Sequence, residues 1–273
     1  MTCSALMSAV MQLGKPYIIG VSSQKGGVGK TTISVNLAVA LKGFNYRVLL
    51  IDSDTTNPSV GVHLGMEGAN VGYRNVMYEK VAINDAIAVH GATGLHVLPG
   101  TLSSKPFIPP LEKIQKLGRK ITNLNYDFVI FDIAPGFVEG DLSSYYNEAL
   151  ILTTPEISAC TSSLRLAHEY DQIKVKHNLI VNRIRNKKYE ISIGEIEEIY
   201  EKRIIGEIPE DDIVPTSIAE HIPAYLISPS SKFAVSIRSI ARNYITGANQ
   251  PMFAKGRNGG GIIAFLKRLF RIG

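Results

Sequence analysis

Ser22-Ser23-Gln24-Lys25-Gly26-Gly27-Val28-Gly29-Lys30-Thr31-Thr32 stands between an apolar run, Tyr17–Ser22, and a stretch with helical spacing of apolar residues at Ile33, Leu37, Ala40 and Leu41. A glycine-rich turn that leaves a strand and opens a helix is the setting in which backbone N–H groups converge on phosphate oxygens. The helix start adds positive partial charge at the same place. In this setting Lys30 neutralises β- and γ-phosphates and the Thr31 hydroxyl binds Mg²⁺, while Gly26, Gly27, Val28, Gly29 and Thr32 complete the cradle. The usual Walker A pattern begins with Gly six residues before the lysine, and here that residue is Gln24.

On either side of this loop the chain alternates apolar runs with helical periodicities. Strands are expected at Tyr17–Ser22, Arg47–Asp52, Leu95–Pro99, Asp127–Asp132, Ala149–Thr153, Leu179–Arg183 and Ile204–Ile208. Helices are expected at Thr31–Leu41, Leu111–Ile121, Ser158–Ile173, Ile193–Arg203 and from Pro229 to Ile245. Strands that are almost wholly apolar and separated by helices imply a doubly wound, mostly parallel α/β sheet covered on both faces, the P-loop NTPase arrangement. The expected division is an N-terminal extension at 1–16, an ATPase domain at 17–247, a tether at 248–260 and a terminal helix at 261–273.

Composition narrows the function classes. Of 273 residues, 45% are hydrophobic, enough for one large core. Cys3 and Cys160 are the only cysteines and are far apart, which argues against disulfide, iron–sulfur and zinc frameworks and suits a reducing cytosol. The start of the chain lacks the charged opening of a secretory signal. No apolar run reaches the ~18 residues of a spanning helix. The net charge is +5, from 29 basic and 24 acidic residues. Lys255, Arg257, Lys267, Arg268 and Arg271 follow Ala248 with no acid among them, so the body is formally neutral and the excess sits in the tail.

The run KGGVGKTT resembles the deviant Walker A loop of the MinD/ParA ATPases, whose signature is an extra lysine near the start of the loop, here Lys25. The resemblance implies that Lys25 reaches across a nucleotide-sandwich homodimer to the partner's ATP, as an arginine finger does. It implies that Asp54, in Ile51-Asp52-Ser53-Asp54, orients the attacking water near Mg²⁺ with Asp52 in support. Asp132, before Ile133-Ala134-Pro135-Gly136, is similar to the Walker B acid that holds a magnesium-bound water, with the Gly136 N–H facing the γ-phosphate. Asn182-Arg183 and Pro209-Glu210-Asp211 resemble the family's adenine-contacting segments. Lys25, Lys30 and Asp54 are thus the expected catalytic residues, and Thr31, Asp54 and Asp132 the expected metal site.

The last residues form a second motif. At about 100° per residue, Ile262, Ile263, Phe265, Leu266, Leu269, Phe270 and Ile272 fall in one half of a helical wheel, and Ala264, Lys267, Arg268 and Arg271 in the other. An apolar face with a basic back, behind a glycine-rich stretch, reads as an in-plane helix on an anionic membrane surface, and FLKRLF is similar to the membrane-targeting tail of MinD proteins. The resulting expectation is a cytoplasmic ATPase, peripheral on the inner face of the cell membrane, that positions division or polar machinery. The rival is a ParA-like ATPase that binds DNA nonspecifically, to which Arg238 and Arg242, four apart on the last body helix, could contribute. MinD proteins often carry regulator-binding acids after a Thr-Pro-Glu segment. Here Thr154-Pro155-Glu156 is present but Ala159–Arg165 has no acid, so the regulator or cargo is left unidentified.

Overall fold

The computed structural model describes residues 14–78, 80–101, 109–136 and 143–247. The tether at 248–260 and the amphipathic stretch at 261–273 lie outside the described residues, as do residues 1–13 with Cys3. The elements in chain order are β1 (Tyr17–Ser22), α1 (Lys30–Gly43), β2 (Val48–Asp52), α2 (Val60–Leu64), α3 (Tyr73–Met77), α4 (Ile83–Ala86), β3 (Ala88–Val89), β4 (His96–Leu98) and α5 (Leu111–Ile121). They continue with β5 (Phe128–Asp132), a 3₁₀ turn (Ser143–Tyr145), β6 (Glu148–Thr153), α6 (Ile157–Gln172), β7 (His177–Ile184), α7 (Ile193–Tyr200), β8 (Ile204–Pro209), α8 (Ile213–Ala219), α9 (Ala224–Ile227) and α10 (Lys232–Thr246).

The strands form one eight-stranded sheet in the order β3-β4-β2-β5-β1-β6-β7-β8. Every pairing is parallel except β3 with β4, an antiparallel edge. This is the doubly wound α/β sheet the strand–helix alternation implies. Side chains alternate across it. Ile19, Val21, Phe128 and Ile130 pack on one face with α1 and α10, while Ile18, Val129 and Phe131 face the core beneath α5 and α6. Helix α1 is buried along nearly its whole length between the sheet and α10, which suits its mostly apolar circumference.

Element ends follow local chemistry. Helix α7 starts in a capping box, Ser192 Oγ accepting from the Glu195 N–H and the Glu195 carboxylate accepting from the Ser192 N–H. It stops at Tyr200, short of the expected Arg203, because Glu201 takes a left-handed φ of 54°. Helices α2, α3, α4, α8 and α9 and the edge strand β3 are additions to the sequence reading. Each is seven residues or fewer, too short for a periodicity to stand out.

At the N-terminal edge of the sheet, Glu148 is 1% exposed and accepts from three donors: Tyr17 Oη at 3.2 Å, Tyr244 Oη at 2.8 Å and Lys176 Nζ at 2.7 Å. Nearby, His177 is buried with Nε2 at 2.9 Å from Lys202 Nζ. Burial, and then the Lys202 charge, hold its pKa below the ordinary imidazole value, against the pull of Asp171 and Glu148. The fold therefore prefers the neutral ring. That stability is present above about pH 6.5, the unfolded imidazole pKa, and is lost as pH falls below it, because the unfolded chain takes up a proton the folded one refuses. In urea titrations at several pH values, His177→Gln is expected to lessen the loss of stability between about pH 6.5 and 5 relative to wild type. Equal slopes would count against it.

Candidate nucleotide site

The loop after β1 turns through two left-handed glycines, Gly27 with φ 75° and Gly29 with φ 98°. A Cβ on Gly29 would collide with the Asn182 amide, which itself donates to the Val28 carbonyl at 2.8 Å. The end of β7 thus grips the loop from one side. Lys30 opens α1 and is 9% exposed; burial lowers its pKa, and the charges of Asp132 and Asp54 oppose that. The Thr31 hydroxyl donates to Asp132 Oδ2 at 2.6 Å, and Ser34 donates to the other oxygen at 3.1 Å.

Two carboxylates end adjacent strands in register, Asp52 on β2 opposite Asp132 on β5. Burial pushes Asp132 up to about 6, resisted by Thr31, Lys30 and Ser34 and reinforced by Asp54. Asp52 is raised well above the usual carboxylate range by burial and by Asp132. Asp52 holds the backbone of the next segment, accepting from Val60 N–H at 3.0 Å and Asp54 N–H at 3.3 Å. Ser53 fixes the strand exit, its N–H and hydroxyl both donating to the Asp132 carbonyl, at 3.0 and 2.9 Å. Asp54 then turns the chain, accepting from the N–H groups of Thr56 and Asn57 at 3.0 and 2.8 Å.

These residues enclose a cavity of about 450 Å³ lined by Gly26, Gly27, Gly29, Lys30, Thr31, Thr32, Asp54 and Arg183. A second, of about 290 Å³, shares Gly29, Thr32 and Arg183 and extends over Asn182, Pro209, Glu210, Asp211 and Phe233. One compartment is polar and cationic beside a helix start; the other has the ring of Phe233 and the strand-end turns of β7 and β8. This pairing fits a nucleotide's phosphates and base. A third cavity, of about 430 Å³, lies at the opposite edge of the sheet beside Lys42, Arg47, His96 and Tyr126 and contains none of the loop residues. Among the described residues no three His, Cys, Asp or Glu side chains gather as a metal site. A cation at Thr31 would take a hydroxyl, carboxylate and phosphate oxygens, the mixed shell Mg²⁺ accepts.

Several of the expected site residues have other partners within this chain. Lys25 does not line the cavity; its Nζ donates to Ser158 Oγ, 2.8 Å away in the first turn of α6. The Gly136 N–H donates to the Ser23 carbonyl at 2.9 Å, so facing a phosphate requires exchanging that bond. Asp211 accepts from Ile213 and Phe233 N–H groups, both at 3.2 Å, and so fastens the starts of α8 and α10. Glu210 pairs with Arg185. Ser34 and His63 also belong to the site; Ser34 could be found one helical turn beyond Thr31, whereas His63 carries no motif at all.

Comparison with known proteins agrees with this geometry. The family model of the CobQ/CobB/MinD/ParA nucleotide binding domain matches residues 19–224. The chain is 33% identical to an uncharacterized ATP-binding protein of Methanocaldococcus jannaschii, over 92% of this chain and 96% of that one. It is 28% identical to the septum site-determining protein MinD of Bacillus subtilis, over 93% and 98%. The structure is similar to that of Pyrococcus horikoshii MinD complexed with Mg-ADP, with a TM-score of 0.77 and 27% identity over 84% of this chain and 95% of that one.

Proposed function

Because the chain belongs to the CobQ/CobB/MinD/ParA family of nucleotide-binding proteins, we propose that it is a MinD-like ATPase that dimerises around ATP, settles on an anionic membrane surface and leaves it after hydrolysis. The observation that carries this reading is the convergence of Lys30, Thr31 and Asp54 on one cavity at the start of α1, with Asp132 buried behind it and joined to the Thr31 hydroxyl. The loop N–H groups and Lys30 bind the phosphates. Thr31, Asp54 and Asp132 would hold Mg²⁺, which when bound would neutralise charge on the phosphates. Asp54 orients the water that attacks the γ-phosphorus as the bond to the bridging oxygen breaks. Asn182, Arg183 and the turn at Pro209–Asp211 wall the base.

The membrane half of the proposal rests on the sequence of 261–273. A single short amphipathic anchor binds only marginally. Two on one dimer gain an effective-concentration factor of about 10²–10⁴, so the ATP state becomes the membrane state. The relatives named septum site-determining suggest that the placed cargo is division machinery or something positioned in the same way.

Sedimentation with vesicles containing anionic lipid tests the switch. Asp54→Ala protein loaded with ATP is expected to pellet, and the ADP form to remain in the supernatant. Equal pelleting in both states would sink the proposal. The DNA-binding alternative finds little support in α10. Arg238 donates to the Pro229 carbonyl at 2.8 Å and lies over the Tyr225 ring, and Arg242 lies over the Phe44 ring.

A further inference from the structure

His63 is the last-turn histidine of α2, and its ring is fixed at both nitrogens. Nδ1 lies 2.9 Å from the Ser59 carbonyl, and Nε2 lies 3.3 Å from Thr32 Oγ1. A carbonyl oxygen only accepts, so Nδ1 carries the hydrogen and Nε2 of the neutral ring takes the Thr32 hydroxyl proton. Burial holds the His63 pKa below its ordinary value, which keeps the ring in that neutral form. Two adjacent hydroxyls at the start of α1 are therefore committed in different directions, Thr31 to Asp132 on β5 and Thr32 to His63 across the cavity both residues line.

The placement matters because of what α2 follows. The segment from Ser53 to Ser59 carries Asp54. At its start it is held by Ser53 on the Asp132 carbonyl, and at its end by Asp52 on the Val60 N–H. Both of those anchors tie it to the sheet. Among the hydrogen bonds described for α2, the His63–Thr32 contact joins it to the first turn of α1, the turn whose N–H groups face the phosphates.

We infer that His63 is a nucleotide-positioning residue: through the Thr32 hydroxyl it sets the separation between the phosphate loop and the segment carrying Asp54. This rests on the nucleotide reading above and adds to it a residue outside the loop and strand-end motifs.

The two ring contacts can be separated by substitution. Asn approximates the Nδ1 side of histidine and can keep the Ser59 bond. Gln reaches to the Nε2 position and can keep the Thr32 bond. With fluorescent ADP and Mg²⁺, His63→Asn is expected to bind about five- to tenfold more weakly than wild type, the worth of one lost hydrogen bond. His63→Gln is expected to bind within about twofold of wild type. In long-range ¹H–¹⁵N spectra of the imidazoles, the His63 signals of wild type, assigned by their loss in His63→Gln, are expected to move on saturation with Mg-ADP. Wild-type affinity in His63→Asn, rescue by Asn rather than Gln, or unmoved His63 signals at saturation would each overturn the inference while leaving the nucleotide site standing. Failure of the wild type to bind Mg-ADP at all would overturn both.

Discussion

Lys25→Ala protein is expected to bind Mg-ADP as tightly as wild type yet to hydrolyse ATP at least about a hundredfold more slowly. The two halves of this expectation come from one geometric fact. Lys25 is exposed and points along the surface to Ser158 rather than into the cavity of its own chain. Removing it therefore takes nothing from the phosphates of an isolated copy. In the proposed dimer the side chain leaves Ser158 and supplies a second cation to the neighbouring site, where charge develops as the γ-phosphoryl group departs. A fixed cation matched to developing charge acts on the transition state rather than on ground-state binding. Titration with fluorescent ADP and steady-state phosphate release measure the two quantities separately. Weakened ADP binding would place Lys25 in cis, and unchanged hydrolysis would remove it from the reaction.

The second large effect concerns stability. Glu148→Ala is expected to cost about 3 kcal/mol, the low end for breaking a buried charged network by removing one member. The change removes the buried carboxylate that accepts from the hydroxyls of Tyr17 and Tyr244, while Lys176, which is 45% exposed, can turn to water. For a domain of this size a loss of that order lowers Tm by about 6–12 °C, which differential scanning calorimetry resolves. Glu148→Gln keeps an acceptor for one tyrosine and should fall between. A drop of less than about 1 kcal/mol for Glu148→Ala, near the worth of one ordinary hydrogen bond, would show that the three donors find other partners.

The phosphate loop, the parallel sheet and the carboxylates at its strand ends could be read from the sequence because each has a local signature. Gly27 and Gly29 sit where the backbone needs positive φ, and Asp52 and Asp132 close apolar runs. Other features depend on partners far along the chain. Glu148 looks like a residue that should precede a buried strand, yet it begins β6, fully buried, because donors 131, 28 and 96 positions away converge on it. His63 has no motif; only folding brings it to Thr32, 31 residues earlier. Asn182 lines the second cavity as the resemblance implies, but its donation to the Val28 carbonyl, which also holds the loop, joins residues 154 positions apart and has no local signature. The segment after β2 breaks into helices of four or five residues whose existence is settled by tertiary packing rather than propensity.

The hydrogen bond from Tyr244 to Glu148 has a geometric corollary. It nails the last turn of α10 to the edge of the sheet where strands begin, whereas Lys30, Asp54 and Asp132 stand at the edge where strands finish. Gly247, the last described residue, consequently lies at the pole opposite the nucleotide cavity. No residue lining the cavity comes from the last turn of α10, so that end of the helix leaves the mouth clear for the second copy proposed above.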